Sequence, residues 1–72
     1  MDFIAQSIQD TYDYMRRILL EDFDDEHILM LAKDCVNQIS WTNPALMHKG
    51  LYWIIENYLA RSGVLFKRLV LQ

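Results

Sequence analysis

The chain has 72 residues, a formal net charge of −3 and a hydrophobic content of 53%. This length permits one domain with a small core, because only about 60% of the unfolded surface can be buried at this size. The acidic balance and the scattered Lys and Arg residues argue against a general nucleic-acid binder, since phosphate contact depends on clustered cations.

Cysteine content and hydropathy bear on location. Cys35 is the only cysteine, which excludes an intramolecular disulfide and fits a reducing compartment. The N-terminal residues lack the basic and apolar regions of a secretory signal. No uncharged stretch approaches the roughly 20 residues of a membrane-spanning helix. We therefore expect a cytoplasmic protein with no membrane association.

The first predicted helix begins at Asp2 and carries a single apolar stripe. Its members recur at three- and four-residue steps, as an amphipathic helix requires. They are Ile4, Ile8, Thr11, Tyr12, Met15, Ile18 and Leu19. Phe3 and Tyr14 flank this stripe, and the pattern leaves open whether they border the core or belong to a contact surface.

Carboxylates make up five of the six residues from 21 to 26, which we call the acidic elbow. They are Glu21, Asp22, Asp24, Asp25 and Glu26, and Phe23 lies among them. Asp22 or Asp24 is expected to cap the second helix, and the other carboxylates favour its positive dipole end. The carboxylates not needed for capping are predicted to bind a protein partner with a basic surface.

The elbow does not fit a metal site or a catalytic pair. A calcium loop beginning at Asp22 needs Gly at its sixth position and Glu at its twelfth, and His27 and Lys33 stand there. One Cys and two His do not supply zinc-site spacing. Paired-carboxylate catalysis needs a desolvating cleft, which an exposed turn does not offer. We expect no metal, no cofactor and no enzymatic activity.

The second predicted helix has an apolar stripe that includes the cysteine. The stripe comprises Ile28, Leu31, Ala32, Cys35, Val36 and Ile39. Because Cys35 lies mid-stripe, a buried small hydrophobe is favoured over a reactive thiol. A nucleophilic pairing of Cys35 with His48 stays open, although no oxyanion-hole glycines accompany it.

The third predicted helix begins at Asn43 and Pro44, since Asn is a strong N-cap and Pro is favoured at the first helical position. Its stripe comprises Met47, Leu51, Ile54, Ile55, Tyr58 and Leu59. Arg61 in the last turn and Gly63 just beyond it indicate the C-terminus.

A second apolar edge on the third helix is formed by Leu46, Gly50 and Trp53. The missing side chain at Gly50 would let another helix approach closely, at a cost of about 1 kcal/mol in helix propensity. Trp is a residue type that dominates interface energies. Either the C-terminal segment covers this edge within the chain, or a partner does.

The C-terminal segment, residues 64–72, is ambiguous between a helix and a strand. A short fourth helix is preferred because it groups Leu65, Phe66, Leu69 and Val70 away from Lys67 and Arg68, whereas a strand would split the two cations across both faces. An unpaired strand of this composition would invite aggregation. The segment should therefore dock on its own bundle or on a second copy.

The predicted fold is all-α, a small antiparallel three-helix bundle with a docked C-terminal segment. The predicted function is protein-protein interaction, as an inhibitor, adaptor or regulatory subunit and possible homodimer. In size and charge the chain is analogous to immunity proteins and phage-encoded inhibitors that occupy basic sites on nucleases. Two alternatives are a helix-turn-helix DNA-binding regulator, with the third helix as recognition helix, and a purely structural homo-oligomer subunit.

Overall fold

Three α-helices form the described part of this computed structural model, which comprises residues 3–39 and 50–68. They are α1 (Phe3–Ile18), α2 (Asp25–Gln38) and α3 (Leu51–Arg61). Within these ranges there is no strand, only an isolated antiparallel bridge between Leu19 and Phe66. The predicted all-α class is therefore confirmed. No helix in these ranges has both the length and the apolar character needed to cross a membrane.

Helix α1 packs mainly on α2 and less extensively on α3. Met15 and Ile18 in the predicted stripe are completely buried. Tyr14 is also buried and stacks on Tyr52, with ring centroids 4.1 Å apart. The buried face is therefore rotated towards the Tyr14 side, while Ile4 at the start of the helix is exposed.

Helix α2 begins within the acidic elbow, as the sequence predicts. Asp24 is its N-cap, and the carboxylate accepts a 2.8 Å hydrogen bond from the backbone N–H of His27. The predicted stripe is confirmed by its buried members, which are Ile28, Ala32, Cys35, Val36 and Ile39. Ala32 and Cys35 belong to the same core cluster as Met15 and Ile18 of α1.

Helix α3 begins at Leu51, directly after Gly50. Gly50 is the N-cap and has φ +91° and ψ 156°, which is a glycine conformation incompatible with a helix interior. The prediction that Gly50 lies within the helix is therefore wrong. The predicted start at Asn43 and Pro44 lies outside the described residues.

The end of α3 agrees with the sequence. Gly63 has φ +75°, and its N–H bonds to the carbonyl of Ala60 while the Val64 N–H bonds to that of Leu59. These are the two hydrogen bonds of a Schellman motif, which satisfies the last carbonyls of a helix. The buried members of the predicted stripe are Ile54, Ile55, Tyr58 and Leu59.

Residues 64–68, which we call the strap, are extended, so the predicted fourth helix is wrong over this range. The turn at Gly63 carries the strap to the C-terminus of α1, where last-turn carbonyls lack helical partners. The Lys67 N–H donates to the Ile18 carbonyl at 2.7 Å, and the Leu20 N–H donates to the Leu65 carbonyl at 3.2 Å. The strap thus docks on the chain's own core, and residues 69–72 lie outside the described ranges.

Candidate functional site

The acidic elbow divides into carboxylates that the fold uses and carboxylates that it leaves in solvent. Asp24 caps α2. Asp25 lies 3.8 Å from Arg16, with both side chains more than half exposed, so this pair adds little stability. Glu21, Asp22 and Glu26 are exposed, and their side chains make no hydrogen bond or ion pair within the described residues. These three carboxylates are available to a partner.

Phe23 holds the elbow in place. It is partly buried, packs against the core cluster and meets the His27 ring at a centroid distance of 4.6 Å. Because Phe23 is anchored on the inside, the exposed acidic residues on either side of it stand at a fixed position on the surface. The sequence interpretation noted Phe23 only as an interruption of the acidic run.

Exposed apolar side chains accompany the carboxylates at the start of α2. Leu29 is 37% exposed and Met30 is 65% exposed. Two shallow depressions, of about 320 and 250 Å³, lie at this end of the helix. Gln9, Tyr12, Asp25, Glu26 and Leu29 line the first, and Asp24, Glu26, His27 and Met30 line the second. Glu26 borders both, so acidic and apolar groups share one surface, which we call the elbow surface.

Of the predicted apolar contact residues, Gly50, Trp53 and Phe66 lie among the described residues. Phe66 is partly buried and packs against the core beside Leu19. Trp53 is partly buried and lines a cleft of about 240 Å³ between α2 and α3. Gly50 is the N-cap of α3, whereas Leu46, Leu69 and Val70 lie outside the described residues. The start of the proposed recognition helix, at Asn43 and Pro44, also lies outside them.

A buried carboxylate that the sequence interpretation missed is Glu56, which is 2% exposed. Its Oε2 accepts a 2.6 Å hydrogen bond from the Tyr14 hydroxyl, and its Oε1 lies 3.7 Å from Nη1 of Arg68. The sequence indicates burial of Glu56 only through its position between Ile55 and Tyr58, next to the apolar stripe. Its partners come from distant parts of the chain and could not be read from helical spacing.

A second tyrosine-carboxylate pair joins α3 to α2. The Tyr58 hydroxyl donates to Oδ2 of Asp34 at 2.5 Å, and the Gln38 amide donates to the same oxygen at 3.1 Å. Burial, followed by the hydrogen bond to Asp34, raises the pKa of Tyr58 to about 12. Burial and the hydrogen bond to Glu56 likewise raise the pKa of Tyr14. Both phenols are neutral at physiological pH, and both act as donors between helices.

Cys35 has the environment of a core residue. It is 1% exposed, and burial raises the pKa of its thiol to about 12. A thiol with this pKa is protonated at neutral pH and is a poor nucleophile. The proposed partner His48 lies outside the described residues.

Within residues 3–39 and 50–68, no group of three or more His, Cys, Asp or Glu side chains could hold a metal ion. No protein-family model, curated protein or solved structure matches the chain. The elbow surface is therefore the feature of the described structure that bears most directly on function.

Proposed function

We propose that this chain is a small protein-binding module, an inhibitor, adaptor or regulatory subunit, whose elbow surface engages a basic region of a partner protein. The observation that carries the proposal is the exposed Glu26 beside the exposed Leu29 and Met30, with two further exposed carboxylates, Glu21 and Asp22, earlier in the same elbow. The described fold uses none of these three carboxylates for its own hydrogen bonds or ion pairs. Their charge is therefore fully available for an intermolecular contact.

The two kinds of side chain would contribute differently to binding. Clustered carboxylates attract a basic surface over a Debye length of about 10 Å and raise the association rate. Leu29 and Met30 would be desolvated in the complex, at about 25 cal/mol per Å² of apolar surface removed from water. Met also adapts its shape to a partner more readily than branched side chains do. The acidic residues would govern encounter, and the apolar residues would govern residence time.

The proposal includes a cytoplasmic location, which the single reduced Cys35 favours, and a non-catalytic role. A DNA-binding regulator is the less favoured alternative. One of the cations that it would need, Arg68, lies 3.7 Å from the buried carboxylate of Glu56. Phosphate contact at Arg68 would have to compete with that carboxylate.

Association kinetics test the steering role. A partner is first identified by affinity capture, and its association rate is then measured at several salt concentrations with the double variant D22N/E26Q. We expect the rate at low salt to fall severalfold and its salt dependence to weaken, because two steering charges are lost. D10N/D13N is the matched control, since it removes two exposed carboxylates of α1 that accept hydrogen bonds only from Gln6 and Gln9 in the described structure. Equal association rates for D22N/E26Q and wild type would contradict the proposal.

Dissociation kinetics test the apolar contribution. M30Q keeps an unbranched side chain of similar length but replaces the thioether and methyl with an amide. We expect it to speed dissociation severalfold while leaving the association rate near wild type.

An electrophoretic shift of duplex DNA at low salt that K67A and R68A abolish would instead support the DNA-binding alternative.

A further inference from the structure

Within residues 3–39 and 50–68, the strap is hydrogen-bonded along one edge and open along the other. Leu65 and Lys67 bond to the segment around Leu19 through the Leu65 carbonyl and the Lys67 N–H. In an antiparallel pairing, the residue between two such positions directs its own N–H and C=O to the opposite side. Phe66 is that residue, and neither its N–H nor its C=O has a hydrogen-bond partner within residues 3–39 and 50–68. An open edge of this kind is a template for another extended chain.

An exposed apolar pair lies beside this edge. Leu20 is 58% exposed and Leu65 is 62% exposed, and the Leu20 N–H donates to the Leu65 carbonyl. Side chains alternate between the two faces of an extended segment. Val64 and Phe66 accordingly pack against the core, whereas Leu65 projects outward. Leu20 and Leu65 thus form a small apolar surface on the solvent side of the strap.

Charges of opposite sign flank the apolar pair. Glu21 and Asp22 directly follow Leu20, and Lys67 lies two residues beyond Leu65; all three are exposed. Lys67 makes no ion pair within the described residues. The surface therefore has an acidic end, an apolar centre and a basic end. A two-fold axis through such a surface brings unlike charges together, as an isologous interface requires.

We propose that the occupant of this open edge is a second copy of the chain. The two straps pair antiparallel, with Phe66 of each copy on the two-fold axis and its N–H and C=O exchanged between copies. This register sets Lys67 of the second copy opposite Leu65, about 10 Å, or two strand spacings, from the backbone of Leu20. The lysine side chain can then reach Glu21 or Asp22 across the leucine pair. The self-complementary charge pattern favours a second copy over an unrelated extended peptide.

A charge-swap experiment tests both the pairing and its register. Wild type is expected to show a mass by light scattering that rises from monomer to dimer between about 10 μM and 1 mM. K67E alone and E21K/D22K alone each place like charges at both contacts and should weaken dimerisation about tenfold or more. An equimolar mixture of the two variants restores both contacts and should recover dimerisation as a heterodimer.

Two controls keep the result specific. K33E reverses an exposed lysine on α2, far in sequence from the strap, and should leave dimerisation unchanged. Circular dichroism of each variant checks that the helices are intact, and the Lys67 backbone bond to Ile18 does not depend on the side chain. Hydrogen exchange of the Phe66 amide should slow at high protein concentration. A monomeric wild type at about 1 mM, or a mixture that stays as monomeric as its components, would overturn the proposal.

Discussion

The hydroxyl of Tyr14 lies 2.6 Å from Oε2 of Glu56 and joins α1 to α3 through a carboxylate that is 2% exposed. Arg68, which belongs to the strap, lies 3.7 Å from the other carboxylate oxygen of Glu56. One buried carboxylate therefore connects two helices and the C-terminal segment. Such a group is tolerated in a core only while its partners are present, because an unpaired buried charge costs several kcal/mol.

The first prediction is that Y14F destabilises the fold by about 2 kcal/mol, the usual range for a hydrogen bond to a charged group. The ring and its stack on Tyr52 are kept, so the loss reports the hydroxyl. Urea unfolding followed by circular dichroism measures it. Y52F is the matched control, since Tyr52 is 49% exposed and its ring stack is likewise kept; we expect a change below about 0.5 kcal/mol. Equal stabilities for Y14F and Y52F would contradict the assigned role.

The second prediction concerns alkaline pH. The pKa of Tyr58 is raised from 10.0 to about 12 in the folded protein, so the unfolded chain releases this proton first. The contribution of Tyr58 is complete below pH 10 and is lost as pH rises towards 12, at up to about 1.4 kcal/mol per pH unit. Y58F should therefore show a shallower fall in the free energy of unfolding between pH 10 and 12.

The control for this titration is again Y52F, whose slope should match that of wild type. Absolute stability of Y58F is expected to be lower at neutral pH, because Asp34 loses a 2.5 Å hydrogen bond. Y58F should thus be less stable than wild type at neutral pH and yet lose less stability between pH 10 and 12. If Y58F and wild type lose stability in parallel above pH 10, the raised pKa is not a source of alkaline instability.

Much of the fold follows from local sequence. The stripe of α2 and its cap at Asp24 are fixed by helical spacing and by the preference of Asp for free amides. The end of α3 is equally local, because Gly63 adopts the positive φ that a Schellman motif needs. The elbow was identified as exposed and acidic, and the structure separates the cap at Asp24 from the carboxylates left in solvent.

The remaining features depend on tertiary contacts. Burial of Glu56 requires Tyr14 and Arg68, which are distant in sequence. The strap is extended because the carbonyl of Ile18 is available to it, which helix propensity cannot reveal. Helical spacing places Gly50 inside a helix, yet its backbone conformation is that of an N-cap. In each case a partner from another element, or the backbone conformation itself, overrode the periodicity.

The third prediction separates capping from charge within the elbow. D24A should lower stability by about 1 kcal/mol, because the His27 N–H loses its side-chain acceptor. D22A removes the same charge from a carboxylate with no partner in the described structure, and it should change stability by less than about 0.5 kcal/mol. D24N keeps an acceptor and should retain most of the cap. Thermal unfolding of the three variants gives the order, and an equal loss in D22A and D24A would contradict it.

The fourth prediction concerns Thr11, which is completely buried in α1 and whose Oγ1 has no hydrogen-bond partner in the described structure. An unsatisfied buried hydroxyl costs about 1 to 3 kcal/mol. T11V has nearly the same shape without the hydroxyl and should therefore raise the free energy of unfolding by about 1 kcal/mol. T11S is the matched control: it keeps the hydroxyl, loses the methyl and should be destabilised by about 1 kcal/mol. Chemical denaturation of both variants decides the matter, since a T11V protein less stable than wild type would mean that the hydroxyl is hydrogen-bonded in solution.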